Sequence, residues 1–161
     1  MKLILFIWVN LKHLIAKING WIHPLKEELK FVKKKVKSPE YFELVKNGKM
    51  KYKPDSLDEQ YDSITALTIE GDDCDGFNRI AQVYFHLKKY KAYLVSYIAE
   101  PFKMSHSTCI LESGDFFLDA DYGTIRKSYA SMEECVKAIA ERYGAKVVCF
   151  ISQDIDWKVI W

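Results

Sequence analysis

The strongest constraint on the fold is a change of hydrophobic period in the second half of the chain. Residues 74–89 carry apolar side chains at helical spacing, and Asp72 or Asp73 can cap the first turn. The following segments favour β-branched and aromatic residues, which predicts strands at 92–98, 107–112, 115–120, 146–151 and 157–161, with a second helix at 132–143. Short turns between neighbouring strands predict an α+β fold, with an antiparallel β-sheet packed on a central helix.

An N-terminal helical segment, residues 1–47, precedes this predicted domain, which spans residues 48–161. Every candidate site residue lies after residue 70, so we expect the segment to be an appendage of the catalytic core. Turn signals divide the segment at Gly20, His23-Pro24, Ser38-Pro39 and Asn47-Gly48. Its first part has an apolar stripe at helical spacing, made of Leu3, Ile7, Leu11, Leu14, Ile15 and Ile18. The stripe predicts an amphipathic helix that ends at Asn19-Gly20 and packs on the domain, with weak contact to a membrane surface as the alternative.

The charge of the chain is nearly balanced, and this limits its partners. A formal net charge of +2 is too small to predict nucleic-acid binding. Lysines cluster between residues 26 and 53, where they indicate a solvated helix face or, alternatively, a surface for anionic lipid or polyphosphate. The apolar run Leu3 to Val9 is short for a signal peptide and lacks a small-residue cleavage site, so we expect a cytoplasmic protein.

Four cysteines are present, and none forms a C-x-x-C pair, so neither zinc nor another cofactor is predicted. At this chain length we expect reduced thiols rather than disulfides. Cys109, Cys135 and Cys149 fall on apolar stripes and are expected to be buried and unreactive. Cys74 differs, because it lies in the first turn of the central helix, within the stretch GDDCDGFN.

The position of Cys74 favours a nucleophilic thiolate. The helix dipole stabilises an anion at this end, and the free backbone N–H groups can stabilise an oxyanion. The neighbours Asp72, Asp73 and Asp75 oppose ionisation, but exposed carboxylates are screened by water and salt. We therefore expect a thiol pKa below the ordinary value, provided that an imidazole lies close by.

His106 is the histidine whose position can face the start of the central helix. A two-residue turn at Ser113-Gly114 would place Asp121 opposite His106 and Asp119 diagonal to it, all on one face of the sheet. Taken singly, a buried thiol, a strand histidine and a turn aspartate are usually structural, and only their order favours a site. The run Asp119-x-Asp121-x-Gly123 also suggests a calcium loop, but its glycine is misplaced and the required glutamate is missing.

In this order the residues resemble the transglutaminase-like branch of papain-like folds, and more narrowly the bacteriophage and bacterial transglutaminase-like cysteine proteinases. Residues 71–78 are similar to the G-D-C-[DE]-[DG]-[FY]-A box of that family. Further similar segments are Met50-Lys51-Tyr52-Lys53-Pro54-Asp55, Ser105-His106-Ser107 and Phe116-Phe117-Leu118-Asp119. The resemblance covers roughly residues 48–128, about half of the chain.

The resemblance implies a papain-like core in which Cys74 is the nucleophile, His106 the base and Asp119 the group that orients the base. Asp121 is the reserve candidate for the last role, since the hairpin geometry admits it equally. The chain departs from the family pattern at Asp73, Asn78 and Ser107. A side-chain donor for the oxyanion is not evident, and Gln60 and Tyr61 are the local candidates.

The function predicted from these residues is a thiol-dependent hydrolase or acyltransferase acting on amide bonds of a peptide or protein through a thioester. Water as the acceptor gives peptidase or amidase chemistry, whereas an amine gives transglutaminase chemistry. The alternative is a catalytically silent phage or mobile-element module that uses the same fold to bind a protein.

Overall fold

The computed structural model describes residues 1–38, 51–52, 62–68 and 71–160, and within them it shows an α+β chain. The helices are α1 (Lys2–Ile18), α2 (Leu25–Lys35), α3 (Ser63–Thr68), α4 (Cys74–Leu87) and α5 (Met132–Arg142). The strands are β1 (Lys51–Tyr52), β2 (Gly71–Asp72), β3 (Lys91–Glu100), β4 (His106–Ser113), β5 (Phe116–Asp119), β6 (Ser128–Tyr129), β7 (Lys146–Gln153) and β8 (Val159–Ile160). Short 3₁₀ turns lie at Phe102–Met104 and Asp121–Gly123.

The central element is a six-stranded antiparallel sheet with the strand order β6-β5-β4-β3-β7-β8. The predicted α+β class and antiparallel sheet are confirmed. Most strand and helix ends fall within two residues of the predicted ones, although the last strand is shorter than expected. Outside this sheet, β1 and β2 form a two-residue parallel pair.

The hairpin between β4 and β5 has a different register from the predicted one. Ser113 pairs with Phe116, so the turn consists of Gly114 and Asp115, and Gly114 adopts a left-handed φ of 59°. The shift preserves the faces of the strands, because it moves the pairing by two residues. Asp121 is therefore not the strand partner of His106; it lies beyond the end of β5, in a 3₁₀ turn.

Helices α4 and α5 cover opposite faces of the sheet. Side chains of α4 pack with Ala92, Cys109 and Leu111, whereas α5 packs with Tyr93, Val95 and Ile110. Residues on alternate positions of a strand point to opposite faces, which explains the two sets. Because α4 begins at the same end of the sheet at which β4 begins, Cys74 lies next to the first residues of β4.

Helix α1 packs on the domain, but not through the predicted stripe. It contacts β7 through Leu5 and Val9, which cluster with Ile151, whereas the predicted stripe faces solvent. The expectation that α1 packs on the domain is therefore confirmed, but the face that packs is not the expected one. The two can differ because α1 carries apolar residues on two sides. In the described part of the chain, no helix combines the length and hydropathy that a membrane crossing requires.

Helix α2 is part of the core, although the N-terminal segment was expected to be an appendage. Val32 and Val36 lie in the same apolar cluster as Phe77. The Glu28 carboxylate forms a fully buried ion pair with Arg79 of α4, with Nη2 and Oε2 2.6 Å apart. Glu28 also accepts a hydrogen bond from the Ser63 N–H, which ties α2 to the start of α3.

Candidate active site

Cys74 is held at the first position of α4, beside the start of β4. Asp73 caps the helix, because its carboxylate accepts a hydrogen bond of 3.0 Å from the Asp75 N–H, as predicted for one of the two preceding aspartates. The backbone N–H of Ser107 donates to the Cys74 sulfur over 3.4 Å. The sulfur therefore lies against the residue that follows His106.

The environment of Cys74 keeps its thiol protonated. Burial raises the pKa of Cys74 well above its ordinary value, and the charges of Asp73 and Asp75 raise it further. The Ser107 N–H and the Lys12 ammonium act in the opposite direction but are outweighed. The expected low pKa is thus wrong, first because the thiol itself is withdrawn from water and second because Asp75 is buried rather than screened. The Asp75 carboxylate pairs with Lys12 at 3.2 Å.

The imidazole of His106 is fixed by a carboxylate and by aromatic rings. Its Nε2 atom lies 2.9 Å from Oδ1 of Asp121, so an Nε2–H donor leaves Nδ1 as the basic nitrogen. The rings of Tyr143, Tyr122 and Tyr97 surround it, with centroid distances of 5.1, 5.5 and 5.9 Å. These contacts restrict the rotation of the ring and shield the hydrogen bond from water.

Asp121 is a buried carboxylate that remains ionised. Burial would raise its pKa, but the hydrogen bond and charge of His106, the Tyr143 hydroxyl and the Arg142 charge together lower the pKa to about 2. The Tyr143 hydroxyl donates to Oδ2 over 2.5 Å, and the Arg142 guanidinium donates to the same atom over 2.9 Å. An anion at this position can stabilise an imidazolium during a proton transfer.

Asp119 has a supporting position instead of the predicted orienting one. It pairs with Arg142 and with Arg126, and it accepts a hydrogen bond of 3.0 Å from the Asp121 N–H. The hydrogen bond to His106, expected from either aspartate, is made by Asp121, the reserve candidate. The positive charge near both carboxylates comes from a guanidinium, which gives the calcium alternative no support.

Asn78 connects the three elements that supply the site. Its amide group donates to the carbonyl oxygens of Cys74 (3.0 Å) and Ser107 (2.9 Å) and lies 3.2 Å from Asp121 Oδ1. Its oxygen accepts from the N–H groups of Cys109 (3.0 Å) and Tyr122 (2.8 Å). Asn78, one of the departures from the family pattern, is therefore a buried residue that links α4, β4 and the turn after β5 by hydrogen bonds.

The turn that carries Asp121 contains a backbone conformation uncommon for its residue type. Tyr122 has a φ of 50°, in the left-handed region that residues other than glycine and asparagine rarely adopt. Such a conformation persists where the surroundings fix it, here through the hydrogen bond to Asn78 and the ring contact with His106. This conformation is part of what directs Asp121 toward the imidazole.

Sequence reasoning missed the contributions of Arg142 and Tyr143. Both follow from the packing of α5, and the only signal was their position at the predicted end of that helix, before Gly144. The proposed oxyanion donors Gln60 and Tyr61 lie outside the described residues. All four cysteines are free thiols; Cys109 and Cys135 are buried as expected, whereas Cys149 is partly exposed, against expectation.

The site joins a thiol, an imidazole and a carboxylate from three separate elements. Cys74 comes from α4, His106 from β4 and Asp121 from the turn after β5. These groups can act as a nucleophile, a general base and a group that orients the base. Comparison of the chain with protein-family models, with curated proteins and with solved structures finds no match.

Proposed function

We propose that this chain is a thiol-dependent hydrolase or acyltransferase acting on amide bonds, built on a papain-like, transglutaminase-like core. One observation carries the proposal. The imidazole of His106 is held by Asp121 through Nε2, next to the residue whose N–H contacts the Cys74 sulfur. A buried and ionised carboxylate on the far nitrogen is the arrangement that makes the near nitrogen a base.

In the first half of the reaction, Nδ1 of His106 takes the thiol proton while the Cys74 sulfur attacks the carbonyl carbon of the amide. The carbonyl oxygen becomes an oxyanion. The backbone N–H of Cys74, at the first position of α4, is the donor that we assign to it, because N–H groups of the first helical turn have no acceptor within the helix. The C–N bond then breaks, the amine leaves with the proton from His106, and a thioester remains.

In the second half, an acceptor removes the acyl group from Cys74. Water or an amine loses a proton to His106 and attacks the thioester carbon, and the C–S bond breaks. The sulfur recovers its proton from the imidazolium. Because burial raises the pKa of the Cys74 thiol, the thiol keeps its proton until the sulfur attacks.

A protein-binding module without catalysis is the second candidate. The neutral thiol favours it, because a buried cysteine flanked by Asp73 and Asp75 needs assistance before it can react. On this alternative, the network around Asp121 only fixes the junction of α4, β4 and α5.

Acylation by p-nitrophenyl acetate tests the proposal without a known substrate. The Cys149→Ser background removes the other partly exposed thiol. We expect one acetyl group to be transferred to the Cys74 sulfur while p-nitrophenolate leaves in a burst. Water or added hydroxylamine then removes the acetyl group from the thioester. His106→Gln is the matched variant, since it keeps a polar side chain but supplies no base.

The proposal requires that the burst disappear in Cys74→Ala and slow strongly in His106→Gln, with both variants folded by thermal unfolding. An acetylation rate at Cys74 that matches a free thiol, and that is the same in His106→Gln, would establish the binding module instead.

A further inference from the structure

The outer face of α1 presents a continuous apolar surface to solvent. Over its 17 residues, α1 buries only the side that carries Leu5, Val9 and Ala16. The opposite side, here called the α1 outer face, has large apolar residues between 45% and 75% exposed, namely Leu3, Ile4, Ile7, Trp8, Leu11, Leu14, Ile15 and Ile18. Single exposed apolar residues are normal, whereas a stripe of this length indicates an interaction surface.

The N-terminal part of the chain, which contains α1, is strongly basic. Residues 1–38 contain nine lysines and two acidic residues, Glu27 and Glu28, although the whole chain has a formal net charge of +2. The Glu28 charge is buried against Arg79, and α1 itself contains no acidic residue. Lys17 is exposed, and by helical spacing it lies beside the outer face. An apolar face with a lysine beside it, in a segment of this charge, is complementary to an anionic lipid surface.

We propose that α1 lies on an anionic membrane surface, with its outer face at the boundary between headgroups and acyl chains. Trp8 suits this depth, because its amphipathic ring favours the interface. A second copy of the chain is the competing occupant, but it would bring two lysine-rich segments together, and their like charges oppose the contact. The proposal is independent of the chemistry at Cys74.

Co-sedimentation of the intact chain with lipid vesicles tests the proposal. Two vesicle types are used, phosphatidylcholine alone and phosphatidylcholine with about one third phosphatidylglycerol, which adds the negative surface charge. We expect binding to the anionic vesicles to be at least about tenfold tighter than to the neutral ones, and to weaken as salt is added. Ile7→Glu should lower this binding about tenfold or more, because it places a charge in the apolar face.

Phe102→Glu is the matched control, since Phe102 is an apolar residue in the turn after β3 that is even more exposed than Ile7. It should bind vesicles like the wild type, and Leu14→Glu should repeat the loss seen with Ile7→Glu. Lys17→Glu should weaken binding to the anionic vesicles and leave binding to the neutral ones unchanged. All three α1 positions are exposed, so thermal unfolding should show folded variants.

The proposal is overturned if the chain pellets equally with and without vesicles, or if Ile7→Glu binds the anionic vesicles like the wild type. It is also overturned if sedimentation equilibrium shows a dimer that Ile7→Glu dissociates while vesicle binding is absent. In that case a second copy covers the α1 outer face.

Discussion

Two buried aspartates of this chain each bind a histidine, and the surroundings of the two pairs differ. Asp121 binds His106 at 2.9 Å, and Asp62 binds His23 at 2.7 Å. The other side-chain partners of Asp121 are Asn78 of α4, Arg142 at the end of α5 and Tyr143, the residue after it. A His–Asp pair is therefore not a site in itself; what surrounds it decides its role.

The surroundings of Asp62 are backbone groups. It accepts hydrogen bonds from the N–H of His23 (2.6 Å) and from the N–H of Thr65 (2.8 Å), in the first turn of α3. That is the geometry of a helix cap. The Asp62 pair therefore ties the N-terminal helices to α3, whereas the Asp121 pair fixes the imidazole of the residue before Ser107, whose N–H contacts the Cys74 sulfur.

Replacing each histidine in turn should give the largest difference between the two His–Asp pairs. We expect His106→Ala to lower the rate of Cys74 acetylation by about a hundredfold or more, the lower end of the usual range for a general base. His23→Ala should leave that rate unchanged, because Asp62 keeps its backbone partners. The rates are measured with p-nitrophenyl acetate in the Cys149→Ser background; equal losses in the two variants would remove the distinction between the pairs.

The buried ion pair between Glu28 and Arg79 should affect the free energy of unfolding rather than the reactivity of Cys74. Glu28→Ala leaves Arg79 buried without its carboxylate, and breaking a buried ion pair typically costs about 3–5 kcal/mol. Urea unfolding measures the loss. Glu133→Ala is the control, because its exposed ion pair with Lys137 should contribute little. A Glu28→Ala protein as stable as Glu133→Ala would show that α2 is an appendage after all.

Deletion of residues 1–47 extends the same test. It removes Glu28 together with the core residue Val32, so we expect the remaining chain not to fold cooperatively. A cooperative unfolding transition in residues 48–161 would restore the originally predicted boundary.

Acid should remove the contribution of the ionised Asp121 carboxylate to the free energy of unfolding. The folded pKa of about 2 lies below the unfolded value of 3.8, so the unfolded chain takes up this proton first as the pH falls. The stabilisation is complete above about pH 5 and is lost as the pH falls through 2; its size is about 2 kcal/mol. Urea unfolding between these pH values measures it. Asp121→Asn should show a flatter pH dependence, and an unchanged slope would contradict this assignment.

The sequence was most informative where structure depends on neighbours along the chain. The helical spacing after Cys74 and the strand composition around His106 predicted α4 and β4 closely, since both patterns are local. The shared face of His106 and the aspartates was also predictable, because strand alternation survives a two-residue shift in register. The choice of Asp121 was not, since it depends on a turn beyond the end of β5.

Contacts between elements that are distant along the chain could not be predicted from the sequence. Arg142 and Tyr143 reach the site only through the packing of α5, and Asn78 appeared as a departure from a family box rather than as a buried link between elements. The pKa of Cys74 was predicted in the wrong direction, because the burial of its thiol and of the Asp75 carboxylate both follow from tertiary packing. Local patterns thus gave the framework of the site but not its electrostatics.

The claim that Cys74 is a half-buried, protonated thiol with His106 as its base is tested most directly by the pH dependence of iodoacetamide alkylation. The rate at Cys74 is measured in the Cys149→Ser protein, with and without His106→Ala. We expect a thiol pKa above the ordinary value of about 8.5, and a rate at pH 7 that falls when His106 is removed. A thiol pKa below that value, or a rate at pH 7 that His106→Ala leaves unchanged, would contradict the claim.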